Sequence, residues 1–483
     1  MTKQEAVTNY ISENYLDFNR LRHDVISDKL QVRCAHSLEY ASLQNALEGL
    51  QFRGSEYWRE MTKQDINSIV CHCAQEYDVN ITSREVMTAL QSDLIPDVHP
   101  LREYIQSLPP YTPDQPDWID FVASQVKVKP SPESATDRPK GLSERTACCQ
   151  TTMLLDRPYG ADRPMNLTGE ADLTVSEANG LTSNSSQCER SKTDRLWRAC
   201  FKKWFVAMVA SWMQDEVVNH QVLVLIGRQG IFKTTWLERL IPTHLRAYAC
   251  KLANSNDLNK DERLRIAEFG LISLDEIDSM NNRELNQLKS VITATDVNER
   301  AAYAYTKERR IRLASFCASG NRRDFLTDIT GNRRWLPFEV ESIQNPFYTT
   351  LPYDLMYAQA WALAQDPLFG YWFDLDEIEV LEQHNQHFRE TSNEEQLLDV
   401  YFAVPSTDAS NAKFLTTAEI SERLIYYGNI KKPMTLSRLG VLLSQKGFLS
   451  VRRGNPSRRG WIIYERESQE VNSERSILSK DLY

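Results

Sequence analysis

From residue 221 to residue 241 the chain reads QVLVLIGRQGIFKTTWLERLI. Val222 to Ile226 is an uninterrupted apolar run of strand length, the pattern of a strand covered on both faces. Gly227 to Thr235 follows as a loop containing Gly227 and Gly230, and Trp236 to Ile241 continues with helical character. Strand, glycine loop, Lys-Thr and helix in this order form the context of a phosphate-binding P-loop. In that reading the loop amides face a β-phosphate, Lys233 supplies a cation to the β- and γ-oxygens, and the Thr234 hydroxyl ligates Mg²⁺, with Thr235 beside it. One position departs from the motif. The second glycine of G-x-x-x-x-G-K-S/T falls at residue 232, which is Phe232, and a side chain there limits backbone approach to phosphate.

Working outward, FGLISLDEID (269–278) places an apolar run directly before Asp275 and Glu276. Acids at the carboxyl end of a buried parallel strand sit where ligands bind in α/β sheets. Asp275 is expected to hold the Mg²⁺ shell, and Glu276 to polarise an attacking water. A third strand, RLASFCASGN (312–321), ends in Asn321, the place of a polar sensor in additional-strand P-loop ATPases. TGNRRWLPFEV (330–340) then presents Arg333 and Arg334 after a turn. Either can serve as a finger toward a neighbouring subunit's nucleotide; the bland alternative is a surface pair.

This ordered set of motifs, GRQGIFKTT, LISLDEID, NERAAYAYTKERRIRLASFCASGN and DITGNRRWLPFEV, resembles the virulence-associated E family. These are P-loop ATPases of mobile elements and prophages, similar to superfamily 3 helicases and related to AAA+ proteins. VHPLREYIQSLPPY (98–111) is similar to that family's lead-in. The resemblance spans roughly 96–338 and implies ATP and Mg²⁺ as cofactors, a homo-hexameric ring, and ATP-driven action on DNA during element replication. It matches Lys233 and Thr234 to Walker A, Asp275 and Glu276 to Walker B, and Asn321 to the sensor. It also implies a channel hairpin between Walker B and sensor. In that span lie Lys307, Arg309, Arg310 and Arg312, with Tyr303 and Tyr305 interleaved, cations for phosphates and aromatics for bases. Each cation alone is equally a solvated surface charge.

The rest of the 483 residues divides by composition. Residues 1–128 read as a mostly helical domain, from runs such as SLEYASLQNALEGL (37–50) and TSREVMTALQSDLI (82–95). Residues 129–194 are polar, with Tyr159 their one aromatic, and read as a disordered insertion. The ATPase core is expected over 195–345, opening with RLWRACFKKWFVAMVASWM (195–213), whose Trp197, Trp204 and Trp212 mark a buried helix face. A helical extension over 346–402 precedes a basic domain at 403–470 and a tail at 471–483. In the basic domain, an N-cap at Thr416 or Thr417 starts one helix, TLSRLGVLLSQKGF gives a second, and LSVRRGNPSRRGWIIYER a hairpin, which is winged-helix order. The expected fold is therefore α/β: an AAA+/superfamily 3-like core with a helical N-terminal domain and a C-terminal winged helix.

Net charge is −10, which argues against wholesale wrapping of nucleic acid. Between residues 411 and 466, however, eleven Lys or Arg face three Glu, a local +8 that leaves −18 on the remainder. Arg438 in the second helix and Arg452, Arg453, Arg458 and Arg459 in the hairpin are the candidate duplex-DNA contacts. His384 and His387 lack partners for a metal site and read as a solvated helix face. The nine cysteines show neither a disulfide framework nor zinc spacing, no apolar run reaches membrane length, and the N-terminus lacks a signal-peptide core. A reduced, cytoplasmic protein without membrane contact is expected. Two functional readings stand: an ATP-driven DNA motor, or a nucleotide-gated DNA-binding or defence switch that hydrolyses little, which Phe232 favours.

Overall fold

The computed structural model describes residues 2–35, 56–130, 184–252, 260–299, 308–326, 332–405, 412–431, 433–453 and 457–466. The fold is mixed α/β, in two compact units. The first comprises Met1–Phe325 with Asn332–Phe388, and the second Leu326–Gly331 with Arg389–Tyr483.

The first unit begins with helix α1 (Lys3–Ile11) and a four-stranded sheet of order β3-β2-β1-β4: β1 is Leu21–Asp24, β2 Lys29–Ala35, β3 Glu56–Glu60 and β4 Asp97–Val98. Helices α2 (Lys63–Tyr77) and α3 (Ser83–Leu90) pack with α1 around a core of Ile11, Leu21, Ile69, Val86 and Leu90. Thr62 with Asp65, and Thr82 with Glu85, close reciprocal capping boxes that start these helices. The N-terminal region is thus α/β, which corrects the mostly helical expectation. Its strands are short and polar on one side (EYWRE), so periodicity hides them, and the run 37–50 lies outside the described residues. Helices α4 (Pro100–Ser107) and α5 (Trp118–Ala123) flank the proline-rich connection, with Asp117 capping the second.

Strand β5 (Val126–Val128) opens the central sheet, of order β5-β12-β6-β11-β8-β7. Residues 131–183 lie outside the described set. Helix α6 then runs Asn184–Met213, starting inside the span expected to be disordered. The i,i+4 pair of Asp194 and Arg198 supports its polar face. Trp197, Trp204 and Trp212 are fully buried, and their indole N–H groups donate to the carbonyls of Ala123 (2.9 Å), Phe316 (3.1 Å) and Gly270 (3.1 Å). These three polar handles are satisfied as burial requires.

The sheet continues through β6 (Val222–Ile226), helix α7 (Lys233–Glu238), β7 (Ala249–Leu252), helix α8 (Lys260–Glu268), β8 (Leu271–Leu274), helix α9 (Asn282–Thr293), β11 (Ser315–Gly320) and β12 (Trp335–Ile343). Strands β7, β8, β11, β6 and β12 are mutually parallel; β5 is antiparallel to β12. Between α9 and β11, strands β9 (Asp296–Glu299) and β10 (Glu308–Ile311) form a separate antiparallel pair. Helices α10 (Tyr353–Gln365) and α11 (Leu375–Asn385) complete the unit. His384 is buried, stacks near Phe338, and has Nε2 2.7 Å from the Pro337 carbonyl. It is a core histidine, not part of a solvated face. No group of three or more His, Cys, Asp or Glu side chains among the described residues could hold a metal ion.

In the second unit, helices α12 (Asn393–Tyr401), α13 (Thr417–Gly428) and α14 (Leu436–Gln445) pack around Leu398, Ile420, Leu424, Leu439, Leu443 and Trp461. Strands β13 (Phe402–Ala403), β14 (Lys413–Leu415) and β15 (Leu449–Arg453) each pair with β16 (Arg458–Glu465). Thr416 is the α13 N-cap, with Glu419 returning the hydrogen bond. The boundary expected at 403 falls at 389 instead, because β13 pairs with β16 and α12 joins this core. No described helix is long and apolar enough to cross a membrane.

Candidate nucleotide site and basic elements

Parallel register places three loops at one edge of the central sheet. Ile226 pairs with Gly320, and Leu274 with Ala318, so Gly227, Asp275 and Asn321 all leave their strands at the carboxyl edge. The strand ending in Asn321 lies between the strand of the glycine loop and the strand of Asp275.

Their side chains meet there. Lys233 is 7% exposed, and Nζ donates to the carbonyls of Gly227 and Arg228, both at 2.7 Å, and to Asn321 Oδ1 at 3.4 Å. Burial lowers the Lys233 pKa, opposed by the charges of Asp278 and Asp275. Thr234 Oγ1 lies 3.2 Å from Asp275 Oδ1 and 2.9 Å from Ser319 Oγ, and Ser319 donates to the same Asp275 oxygen at 2.7 Å. Lys251 on β7 reaches Asp275 Oδ2 at 3.0 Å. Burial would raise the Asp275 pKa, but the Ser319, Lys251 and Thr234 contacts together hold it below the ordinary value.

Sequence reasoning missed Ser319, Lys251 and Asp278. Asp278, in the turn Ile277–Ser279, accepts from the backbone N–H of Asn321 (3.0 Å) and Arg322 (3.1 Å) and so fixes the loop after β11. Ser319 stood two residues before Asn321, on the same side of its strand, and was findable by period-2 reading. Lys251 was not findable, because only the sheet brings β7 beside β8.

The glycine loop has φ values of 157° at Gly227, 84° at Gly230 and 67° at Phe232. A Cβ on Gly227 would lie 2.9 Å from the Val340 carbonyl oxygen. Phe232 thus adopts the left-handed conformation that the glycine of the motif adopts freely, at a cost of roughly 1–2 kcal/mol. Glu276, exposed, is also left-handed, at φ 52°. Left-handed non-glycine residues on two converging loops are the kind of backbone outlier that clusters at functional sites.

Arg333 and Arg334 are not brought to this cluster. They precede Trp335, which pairs with Val222, at the opposite edge of the sheet and about 13 Å of strand rise from Ile226. Burial lowers the His220 pKa, the hydrogen bond to the Ile292 carbonyl opposes this, and the charges of Arg312, Arg334 and Arg333 lower it further.

Of the expected channel cations, Lys307 lies outside the described residues, as do Tyr303 and Tyr305. Arg309 is 76% exposed and pairs with Asp296 at 2.6 Å. Arg310 sits between Asp28 and Glu268, each at 3.6 Å. Arg312 corrects the expectation. It is 1% exposed, and its guanidinium donates to the carbonyls of Ala314 (3.1 Å), Asn219 (2.9 Å), Ala294 (3.3 Å) and Ile292. Directly after β10 the chain re-enters the sheet, so this arginine clamps the base of the β9–β10 pair and is closed to any ligand.

In the second unit, Arg438 is exposed in the first turn of α14. Arg452 pairs across the ladder with Arg459, and Arg453 with Arg458. Like charges directly opposite are destabilising, and alternation puts one pair on each face of the ribbon. Lys413 and Arg423 are engaged by Glu465, and Lys446 by Asp399.

Residues 173–390 match the family model of the virulence-associated protein E-like domain. That stretch carries the likeness to this family. No curated protein matches the sequence. Among solved structures, two apo structures of the NrS-1 C-terminal region align over 93% and 94% of this chain and 97% and 99% of theirs. Their sequence identities are 12% and 10%, with TM-scores of 0.35 and 0.37, which do not establish a common overall fold.

Proposed function

We propose that residues 195–345 form an AAA+/superfamily 3-like P-loop ATPase core that binds ATP with Mg²⁺, and that the protein is a DNA motor of mobile-element replication. One observation carries the reading: Lys233, Thr234, Asp275, Ser319 and Asn321, from three non-consecutive strands, converge at one sheet edge with the Asn321 strand between the other two. A strand-turn-helix that bound nothing would have no use for that convergence.

The donor set fits Mg²⁺. Thr234 Oγ1, Asp275 Oδ1 and Ser319 Oγ are hard oxygens within 3.2 Å of one another. One carboxylate and a hydroxyl, completed by phosphate oxygens and water, is how Mg²⁺ is held in nucleotide sites. When bound, the ion neutralises charge on the β- and γ-phosphates. Lys233 then exchanges its loop carbonyls for phosphate oxygens, Asn321 orients the terminal phosphate, and Glu276 accepts the proton of the attacking water. Arg333 or Arg334, remote from the cluster within one chain, acts as a finger on a neighbouring subunit's nucleotide, which makes a homo-hexameric ring part of the reading.

The second unit is a winged helix that holds duplex DNA through Arg438 and the paired arginines of β15 and β16. Arg309, Arg310 and Lys307 serve a single strand in the ring channel. The competing reading, a nucleotide-gated switch with little turnover, draws on Phe232 and its strained backbone. Steady-state ATP hydrolysis with and without single-stranded DNA, using Lys233→Ala as the blank, separates the two. DNA-stimulated turnover lost in the variant supports the motor. Binding without turnover at any DNA concentration supports the switch.

A further inference from the structure

Beside the glycine loop lies a short aromatic segment that the reading above leaves unused. After β12 the chain turns at Asn345, whose side chain accepts from the Phe347 N–H at 3.0 Å. The Asn345 carbonyl accepts from the Tyr348 N–H at 3.1 Å and from Thr349 Oγ1 at 3.2 Å. Arg239, at the end of α7, donates to the carbonyls of Pro346 and Thr349. The backbone is therefore pinned, yet Phe347 is 69% and Tyr348 89% exposed. A rigid turn that holds aromatic rings in water forgoes the burial such side chains normally gain.

Phe347 is also placed. Its ring meets the Phe232 ring at 6.2 Å in a T-shaped contact, which leaves a face of Phe347 open. Phe347 lines a cavity of about 600 Å³ together with Thr235, Glu238, Arg239, Thr243 and Tyr353. That volume falls within the roughly 300–1,000 Å³ of small-molecule sites. Thr243 Oγ1 is buried with no hydrogen-bond partner among the described residues. The cavity starts at Thr235, the residue following the Lys233-Thr234 pair.

We infer that this cavity receives the base and ribose of a nucleoside triphosphate, with the base stacked on Phe347 and its polar edge met by Glu238 and Thr243. The inference rests on the glycine loop holding the phosphates and adds what selects a nucleotide over bare polyphosphate. It also gives Phe232 a role: its ring supports Phe347, in return for the strain at its backbone.

The test is calorimetric binding of ATP and of inorganic tripolyphosphate, each with Mg²⁺, to the full chain. Wild type, Phe347→Ala, Phe347→Trp and Tyr348→Ala are compared. Phe347→Ala is expected to weaken ATP binding about tenfold, the scale of one base–aromatic stack, and to leave tripolyphosphate unchanged. Phe347→Trp retains ATP affinity, and Tyr348→Ala, which does not line the cavity, changes neither. Equal ATP affinity in wild type and Phe347→Ala, or parallel losses for both ligands, overturns the inference while leaving the phosphate loop standing. Loss with Tyr348→Ala and not with Phe347→Ala overturns the assignment to this cavity. If wild type binds neither ligand, the phosphate-loop reading falls and the inference with it.

Discussion

Arg312→Met separates a structural arginine from a DNA-binding one. The variant keeps an unbranched apolar stem and deletes the guanidinium with every donor. Three carbonyl oxygens, on Asn219, Ala294 and Ala314, then lose the guanidinium in a site that is 1% exposed, while that of Ile292 keeps His220 Nδ1 at 3.4 Å. An unsatisfied buried acceptor costs about 1–3 kcal/mol, so the gross loss is roughly 3–9 kcal/mol. No longer burying a guanidinium returns several kcal/mol, leaving a net destabilisation of about 3–5 kcal/mol. At about 2–4 °C per kcal/mol for a domain of this size class, the thermal midpoint falls by roughly 6–20 °C. The assay pairs thermal unfolding with fluorescence anisotropy on single-stranded DNA at two salt concentrations. Arg309→Gln is the complement: exposed and, among the described residues, paired with Asp296, it leaves the midpoint within about 2 °C, a surface effect of under 0.5 kcal/mol, and reduces the salt dependence of binding. An Arg312→Met protein as stable as wild type but defective on DNA would refute the clamp and return Arg312 to the channel.

Glu276→Gln is expected to bind ATP normally and lose turnover; undiminished turnover removes Glu276 from its role. Asp278→Ala frees the Asn321 loop, so kcat should fall by tenfold or more while ATP affinity stays within about twofold, the pattern of a lost transition-state interaction; a matched rise in KM with unchanged kcat contradicts this. Changing Arg452, Arg453, Arg458 and Arg459 together to Gln should lower the slope of log affinity against log salt by up to about 3.6, at 0.9 per phosphate, without loss of stability, since two like-charge pairs are removed. A slope identical to wild type would place the DNA elsewhere. Burial lowers the His384 pKa to about 4, so between that value and the unfolded value near 6.5 the unfolded chain binds the extra proton. The stability from neutral His384 is complete above pH 6.5 and drops as pH falls, by about 2 kcal/mol at pH 5. Chemical denaturation of wild type and His384→Gln at pH 7.5 and 5 checks this: the variant, already weaker, shows the smaller pH dependence.

Much of the candidate site was legible because its parts are contiguous motifs. An apolar pentamer, a glycine loop and Lys-Thr adjoin one another, and so do an apolar strand and Asp-Glu. The partners that complete it were not. Ser319 looked like any polar residue in an apolar strand, Lys251 is far from Asp275 in sequence, and Asp278 was overshadowed by the acids before it. The basic run near residue 310 shows the opposite failure. Arg309, Arg310 and Arg312 are the same letter in sequence, yet one is solvated, one is half-buried between two acids and one is sealed behind four carbonyls. Residue type cannot separate these states, because burial depends on what packs above.

What the sequence determined by itself was local: where strands are apolar enough to be covered, where glycines and caps interrupt them, and the order in which Lys233, Asp275, Asn321 and the arginine pair occur. Capping boxes at Thr62, Thr82 and Thr416 belong to the same class, since each closes within four residues. The tertiary structure decided adjacency. It put β11 between β6 and β8, set Ser319 against Asp275, moved α12 and β13 into the C-terminal unit, and sent Arg333 and Arg334 to the edge of the sheet away from Lys233. Strand neighbours are chosen by hydrogen-bonded pairing and side-chain packing among residues tens to hundreds of positions apart. That choice is a property of the whole folded chain, and no window of sequence contains it.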